Sequence, residues 1–206
     1  MRVLLFFIIL FTAQSCATKK YSRMYLLPDG ITQATEEKYL LVNNQKKLLY
    51  KKQMIFTRNG RIKYSQTLDS LDKVVQQTEK RLWFIVERYP DKEPYYCKTR
   101  WKPNQRERIS CYTRKQYKQN EAIYHYNPDG SINKIVDHYP PFHTQYFYYS
   151  NNERSKIVIK DKNDSLIDEI QIRCENKDDK GSCLKETRIS TKTRHQEEIV
   201  FTPVYY

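Results

Sequence analysis

The stretch AIYHYNPDGSINKIV (122–136) carries the signals of a β-hairpin. Two runs rich in Tyr, Ile and Val flank a polar centre that ends in Asp-Gly at 129–130. Glycine reaches positive φ without steric cost, and a type I′ hairpin turn needs positive φ. On the resulting register Tyr124 and Tyr126 share one face of the first strand and Ile123 lies on the other. The stretch therefore predicts two antiparallel strands whose register is set by the turn.

Similar polar turns recur along the chain, each followed by a run containing Ile or Leu. The clearest copies are FTRNGRIKY (56–64) and DKNDSLIDEIQI (161–172). Beyond the second turn Ile170, Ile172 and Cys174 alternate with polar residues, which is the period of a half-buried strand. The chain also has 18 tyrosines, whose rings pack across strands while their hydroxyls reach water. We therefore predict a mainly β fold, an antiparallel meander of tyrosine-rich hairpins.

One segment, DSLDKVVQQTEKRLWFIVERYP (69–90), allows two interpretations. Apolar residues recur through it at helical spacing, and Pro90 would end a helix. Its Val, Thr, Ile, Trp and Phe residues favour strands instead, and its opening resembles the hairpin at 164–170. The fold is thus either all-β or a sheet with one helix near 70–89 packed on it.

The N-terminal residues indicate export from the cytoplasm. Arg2 precedes an apolar run from Val3 to Phe11, and small residues follow before Cys16. This order of charge, apolar core and small residues is that of a secretory signal peptide. The run is shorter than the roughly 20 residues that span a bilayer.

The residues Ala-Gln-Ser-Cys at 13–16 resemble the lipobox of bacterial lipoproteins. In that family the cysteine thiol receives a diacylglycerol, the leader is cut just before it, and the new amine is acylated. The resemblance covers residues 1–19 and implies a signal peptide over 1–15 and lipidation of Cys16. We expect a lipidated tether over 16–35 and, from the strand pattern and the cysteines discussed below, a single β-rich periplasmic domain over 36–206. The alternative is ordinary secretion with Cys16 as a free thiol.

The four remaining cysteines suit an exported, oxidised protein. Their even number indicates two disulfides with three possible connectivities. Pairing Cys97 with Cys111 and Cys174 with Cys183 is favoured, because each pair brackets a polar, turn-like segment and would staple a hairpin. Zinc-binding spacing is absent, since no two cysteines lie two to four residues apart and the four histidines are dispersed.

The charge of the chain is strongly positive. Its 37 Lys and Arg against 24 Asp and Glu give a formal net charge of +13. Nucleic-acid binding would follow for a cytosolic chain, but not for an exported one whose acids and bases are interleaved. We expect no nucleic-acid partner, and either a mixed solvated surface or weak attraction to anionic lipids or glycans.

Motifs of known catalytic sites are missing from the sequence. It contains no nucleophile elbow, phosphate-binding glycine loop or zinc-protease helix motif. Asp137, His138 and His143 surround a Pro-Pro bend. Metal binding or acid–base chemistry would require these side chains to converge, and an ordinary polar loop is the favoured alternative. The acids of 161–169 are spaced like those of a calcium loop, but the required glycine and final glutamate are absent, which favours a hairpin tip. We therefore predict no metal and no cofactor.

Four consecutive aromatic residues are the candidate binding residues: Tyr146, Phe147, Tyr148 and Tyr149. In a strand they cannot all lie on one face. Either the strand is covered on both sides, or part of the run forms an exposed stripe that binds a carbohydrate or a protein.

The pattern Tyr-x-Tyr, a short turn with Gly and then Ile-x-Lys resembles the YD or RHS-type β-repeats of bacterial envelope proteins, loosely and over residues 55–190. That family is a structural module, so the resemblance implies shape rather than chemistry. Together these observations predict a non-catalytic lipoprotein on the periplasmic side of the outer membrane. Its sheet would bind or scaffold an envelope protein or a glycan. The alternative is a cell-wall or glycan-processing enzyme whose catalytic carboxylates the sequence does not single out.

Overall fold

The computed structural model describes residues 24, 26–43, 45–81, 85–90, 96–102, 106–113 and 115–206. The predicted signal peptide and Cys16 lie outside this part of the chain. The described residues form fourteen strands: β1 (Ile31–Val42), β2 (Gln45–Phe56), β3 (Ile62–Leu68), β4 (Val74–Lys80), β5 (Ile85–Arg88), β6 (Tyr96–Lys102), β7 (Arg106–Tyr112), β8 (Lys118–Tyr126), β9 (Ile132–Asp137), β10 (Thr144–Ser150), β11 (Glu153–Lys160), β12 (Leu166–Lys177), β13 (Cys183–Ser190) and β14 (Gln196–Tyr205).

The strands form a meander that closes on itself. Each strand pairs antiparallel with its neighbours in sequence, and β14 pairs with β1 to complete a closed barrel. The prediction of a mainly β antiparallel meander is confirmed. Among the described residues, no helix has the length and hydropathy needed to cross a membrane.

The alternative prediction of a helix near 70–89 is wrong, because this segment contains strands β4 and β5. β4 pairs with β3 on one side and β5 on the other, so its backbone groups are satisfied by neighbouring strands. Thr78 lies opposite Ser65, and both side chains are buried. The β-branched residues of this segment thus pack on a pleated surface, as their conformational preference favours.

The turn at 127–131 differs in type from the predicted one. The Asn127 carbonyl accepts a hydrogen bond from Gly130 N–H at 3.0 Å, and the Ser131 carbonyl accepts one from Asn127 N–H at 2.9 Å. Within residues 127–131, φ is positive only at Gly130, where it is +93°. A type I′ turn would need it at two central residues, and the ring of Pro128 fixes φ near −65°.

The same five-residue loop recurs elsewhere in the barrel, with the same pair of backbone hydrogen bonds at 57–61, 69–73, 113–117, 161–165 and 178–182. Where the first residue is Asp, its carboxylate also accepts hydrogen bonds from the backbone N–H groups of the third and fifth residues, as at 161–165 and 178–182. The segment 161–169 is therefore the predicted hairpin tip.

Alternate turns of a meander lie at the same end of the barrel. One end, called the mouth below, carries the turns at 57–61, 127–131, 151–152 and 178–182. The chain enters β1 at this end, and Ile31 pairs there with Tyr205 near the end of β14. Because β1 begins at Ile31, residues 31–35 belong to the barrel and not to the predicted tether.

Inward-facing side chains form two separate apolar clusters. The first cluster contains Ile31, Ala34, Met54, Phe56, Ile62 and Phe201. The second contains Tyr126, Ile132, Phe147, Ile157 and Ile172. Tyr124 and Ile170 pack on the second cluster, so the predicted inward faces of β8 and β12 are correct.

Two disulfides cross-link neighbouring strands. Cys97 and Cys111 are directly opposite each other on β6 and β7, and both are buried. Cys174 and Cys183 join β12 to β13 close to the mouth. Both follow the local pairing favoured by the sequence.

Candidate functional site

A cavity of about 120 Å³ opens at the mouth, between the two apolar clusters. Its apolar lining residues include Leu26, Leu27, Tyr149, Ile199 and Phe201. Its charged lining residues are Glu36, Glu153, Arg154, Lys177, Glu186 and Arg188. The cavity therefore combines apolar walls with fixed charges of both signs.

The segment that leads into β1 lies across this cavity. Met24 packs on the second cluster, where Tyr126 Oη lies 3.7 Å from its sulfur. Leu27 packs on the first cluster. Leu26, at φ +56°, lines the cavity between them. The chain thus fills part of its own mouth with apolar side chains.

A second concavity, of about 580 Å³, adjoins the first on the side of the 127–131 turn. The two share Leu26, Leu27, Tyr149 and Asn152 as lining residues. Tyr149 is fixed by a hydrogen bond that its hydroxyl donates to the Ile132 carbonyl at 2.8 Å. Burial raises the pKa of Tyr149 above its usual value. Asn152, on the β10–β11 turn, is an exposed residue at the boundary of both spaces.

Two arginines and a glutamate form an ion network in the cavity wall. Arg188 Nε donates to Glu186 Oε1 at 2.6 Å, and Arg154 Nη2 lies 3.6 Å from Glu186 Oε2. Arg154 also lies over the Phe147 ring, 5.9 Å from its centroid. Burial opposes the charge of Arg188, but Glu186, together with Glu36, outweighs it and raises the pKa of Arg188. The network thus places two cations and one shared carboxylate in the cavity wall.

Glu36 of β1 lies in the same part of the cavity wall, since β14 alone separates β1 from β13. It faces Phe201 across the β1–β14 pair, and its Oε1 accepts a hydrogen bond from the Tyr50 hydroxyl at 2.8 Å. The carboxylates of Glu36 and Glu186 are thus both engaged by neighbouring side chains.

The rim of the mouth is tied together by the 178–182 turn. The Tyr205 hydroxyl donates to Asp178 Oδ2 at 2.7 Å and lies 2.6 Å from Ser182 Oγ. Burial, with the nearby Asp178 carboxylate, raises the pKa of Tyr205 to about 12. Lys177 pairs with Glu153 from the neighbouring hairpin. The Cys174–Cys183 disulfide lies in the same wall, so this side of the rim is held rigidly.

The predicted aromatic run is divided between the two faces of β10. Phe147 belongs to the second cluster, and Tyr149 packs on it. Tyr148 is 47% exposed, with Lys156 Nζ 5.1 Å from its ring centroid. Tyr146, on the same outer face, lies beneath lysine side chains. Only Tyr149 of the four lines the mouth, so the run is neither wholly covered nor wholly exposed.

The loop around the Pro-Pro bend lies at the opposite end of the barrel. Asp137 N–H donates to the His143 carbonyl at 2.9 Å, which closes the β9–β10 connection. Burial raises the pKa of Asp137, and the two histidines partly oppose that shift. Within the described ranges, no group of three or more His, Cys, Asp or Glu side chains is placed to hold a metal ion.

The charged residues of the cavity wall were not singled out by the sequence. On β13 Glu186 and Arg188 alternate with Thr187 and Ile189, so a period-two interpretation would place Ile189 inside. The structure has the reverse: Glu186 and Arg188 face the cavity, and Ile189 is 41% exposed. On this strand the charged residues face inward and the apolar residue faces outward. Such a pattern indicates that the interior of the barrel is polar at this point.

No protein-family model and no curated protein matches the chain. Similar solved structures include a porin-like protein from Bacteroides uniformis, with 11% identity and a TM-score of 0.41 over 78% of this chain and 55% of that one. Thus the match spans about half of the porin-like protein. A LolA superfamily protein from Nitrosomonas europaea has 8% identity and a TM-score of 0.40, over 90% and 92% of the two chains.

A putative outer membrane lipoprotein-sorting protein domain from Vibrio parahaemolyticus has 5% identity and a TM-score of 0.36, over 85% and 87% of the two chains. Identities and TM-scores this low decide no function, so the function is inferred from the residues of this chain. The resemblance to YD or RHS-type repeats is not supported by any of these matches.

Proposed function

We propose that the protein is a non-catalytic lipoprotein of the cell envelope whose barrel mouth binds the apolar chain of an amphipathic ligand. The observation that carries this proposal is the occupancy of the mouth by the chain's own apolar residues. Met24 and Leu27 are packed on different clusters, with Leu26 in the cavity between them. The mouth already buries apolar side chains of the protein itself. The same hydrophobic effect would stabilise the bound alkyl chain of a ligand there, by roughly 0.8 kcal/mol for each buried CH₂.

The polar end of such a ligand would stay at the rim. In the cavity wall the Glu186 carboxylate is already shared by Arg154 and Arg188, and Glu36 lies near Arg188. The rim is wetter, and there Lys177 and Glu153 are partly exposed and able to exchange partners. Apolar walls with a few placed polar groups are the usual composition of a site for a small amphiphile.

The N-terminal anchor would place this mouth beside a membrane. Cys16 precedes Met24 by eight residues, so an acylated Cys16 could lie no more than about 28 Å from the mouth along an extended chain. Two or more acyl chains hold a protein stably on a bilayer. The two disulfides support an oxidising compartment, and the periplasmic side of the outer membrane is the proposed location.

A second candidate function uses the outer wall. The exposed Tyr148 ring with Lys156 above it suits a glycan or an acidic protein partner. Catalysis by carboxylates is less well supported, because Glu36 and Glu186 in the cavity are both held by other side chains.

Blocking the mouth tests the proposed site. Asn152→Cys, in the full chain with Cys16→Ser, would be modified with a bulky thiol reagent. Binding of a fluorescent fatty acid should then weaken at least about tenfold, since Asn152 borders both concavities.

Arg194→Cys is the matched control for this experiment. Arg194 is exposed at the far end of the barrel and has φ +60°, close to the +62° of Asn152. Modified Arg194→Cys should bind the fatty acid like the unmodified chain. Equal loss of binding in the two modified variants, or no binding to the unmodified chain, would contradict the site.

The anchor has a separate test. Cys16→Ser should abolish labelling with a radioactive fatty acid and release the protein from the membrane fraction. Unchanged labelling would contradict the proposed lipidation without affecting the mouth.

A further inference from the structure

The outer face of the β6–β7 hairpin carries a cluster of cations. Lys98, Arg100 and Arg108, with Ser110 and Tyr112, line a concavity of about 90 Å³. No acidic side chain is among the described residues that line it. Strand register explains the cluster, since Arg100 is directly opposite Arg108 and Lys98 is directly opposite Ser110.

The placement of Arg100 opposite Arg108 is electrostatically unfavourable, and a bound anion would offset this repulsion. Like charges directly opposite each other on antiparallel strands repel and destabilise the pair. Lys98, a third cation, lies on the same face of the hairpin as Arg100 and Arg108. Unfavourable charge placement of this kind is typical of binding sites, where a ligand of opposite charge supplies the compensation.

Two cross-strand contacts hold β6 and β7 together beside the cluster. On the inner face of the hairpin the Cys97–Cys111 disulfide joins the strands one residue away from Lys98 and Ser110. On its outer face the rings of Tyr96 and Tyr112 stack with centroids 5.7 Å apart. The three cations therefore project from a cross-linked hairpin, which reduces the entropy lost when they close on a ligand.

Among the described residues of the neighbouring strands, the acid beside the cluster is Glu121. Glu121 on β8 accepts a hydrogen bond from Ser110 Oγ at 3.0 Å and lies 3.5 Å from Arg108 and 3.0 Å from Lys118. The other outward neighbours are Val86, opposite Lys98 on β5, and Ile123, opposite Arg108 on β8. In the described part of the chain, Arg108 and Lys118 thus share Glu121, and Lys98 lies over the Tyr96 ring, 5.2 Å from its centroid.

We propose that this concavity is a binding site for a phosphate-type oxyanion. Two guanidinium groups offer paired N–H donors that match phosphate oxygens, and Lys98 adds a third positive charge. The site lies on the outer wall and is independent of the function proposed for the mouth. The shared chemistry is a phosphoryl group, carried either by a lipid headgroup or by a soluble molecule.

Binding is measured first with inorganic phosphate and the full chain at low salt. Phosphate at about ten times its dissociation constant adds about 1.4 kcal/mol of stability and should raise the melting temperature by about 3–6 °C. Arg100→Gln should weaken phosphate binding at least about tenfold. Without phosphate, Arg100→Gln should melt no lower than wild type, because it relieves the repulsion with Arg108.

Arg173→Gln is the matched control, with the same loss of charge at an exposed outward position of β12. Lys98→Gln replaces Arg100→Gln if the latter fails to fold, and it should weaken phosphate binding in the same way. Equal weakening by Arg173→Gln would show diffuse charge attraction and overturn the site. Absence of binding to both phosphate and anionic vesicles would overturn it as well.

Vesicles distinguish the two sources of the phosphoryl group. The full chain with Cys16→Ser is sedimented with phosphatidylcholine vesicles that contain or lack phosphatidylglycerol. Binding that needs phosphatidylglycerol and is lost in Arg100→Gln assigns the site to lipid headgroups. Phosphate binding that Arg100→Gln weakens, without any effect of that substitution on vesicles, assigns the site to a soluble anion.

Discussion

Replacing Glu186 with glutamine should strongly destabilise the barrel, because two arginines in the cavity wall share that carboxylate. The side chains of Arg154, Glu186 and Arg188 are only 14%, 17% and 20% exposed. Removing one partner of a fully buried ion pair costs about 3–5 kcal/mol. Partial exposure, and the nearby carboxylate of Glu36, lower this to about 2–3 kcal/mol, a fall in melting temperature of about 5–10 °C for a chain of this size.

Glu175→Gln is the matched control for this substitution. Glu175 lies on the adjacent strand but faces outward, where it binds Thr187 Oγ1 at 2.6 Å and Lys185 Nζ at 3.1 Å in solvent. Thermal melts followed by circular dichroism should show a much smaller shift for Glu175→Gln. Adding Arg188→Met to Glu186→Gln should recover part of the lost stability, since it removes one uncompensated charge. Equal shifts for the two glutamate variants would refute the inward assignment of Glu186.

Three further predictions concern a turn, the rim and a disulfide. Gly130→Val should lower the free energy of unfolding by about 2 kcal/mol or more, because a β-branched residue resists φ of +93°. Its control, Lys134→Gln, should change stability by no more than about 0.5 kcal/mol. Equal melting temperatures of the two variants would contradict this prediction. The pKa of Tyr205 is raised to about 12, so its contribution to stability is complete below pH 10 and lost as pH rises through 12. Wild type should therefore lose more stability than Tyr205→Phe over that window in alkaline denaturant titrations, and parallel curves would contradict the rim contact. Replacing both Cys174 and Cys183 by serine should lower the free energy of unfolding by on the order of 3 kcal/mol, as measured by urea unfolding. Unchanged stability would contradict a disulfide between these two cysteines.

Local features of the barrel could be predicted from the sequence. The hairpin at 122–136 and the inward face of β12 follow from alternation and turn residues, which act over a few residues. The local disulfides follow for the same reason, since each closes a hairpin. Even the wrong turn type at Pro128 could have been avoided, because the fixed φ of proline excludes a type I′ turn.

Long-range features could not be predicted in the same way. The pairing of Ile31 with Tyr205 closes the barrel across nearly the whole chain, and no local pattern specifies it. The cavity depends on that closure, because it brings Glu36 of β1 near Arg188 of β13. On β13 the charged residues face inward, which is the reverse of the usual apolar-in, polar-out alternation. The sequence pattern therefore assigns the residues of β13 to the wrong faces of the strand.

Photoaffinity labelling tests the central claim, that the mouth binds an apolar chain, most directly. A fatty acid carrying a diazirine near its methyl end would be bound to the full chain with Cys16→Ser, irradiated, and located by peptide mass spectrometry. We predict adducts on Met24, Leu26 or Leu27, or on the inward Ile199 and Phe201. Adducts confined to outward apolar residues, such as Ile189 and Val204, would contradict it.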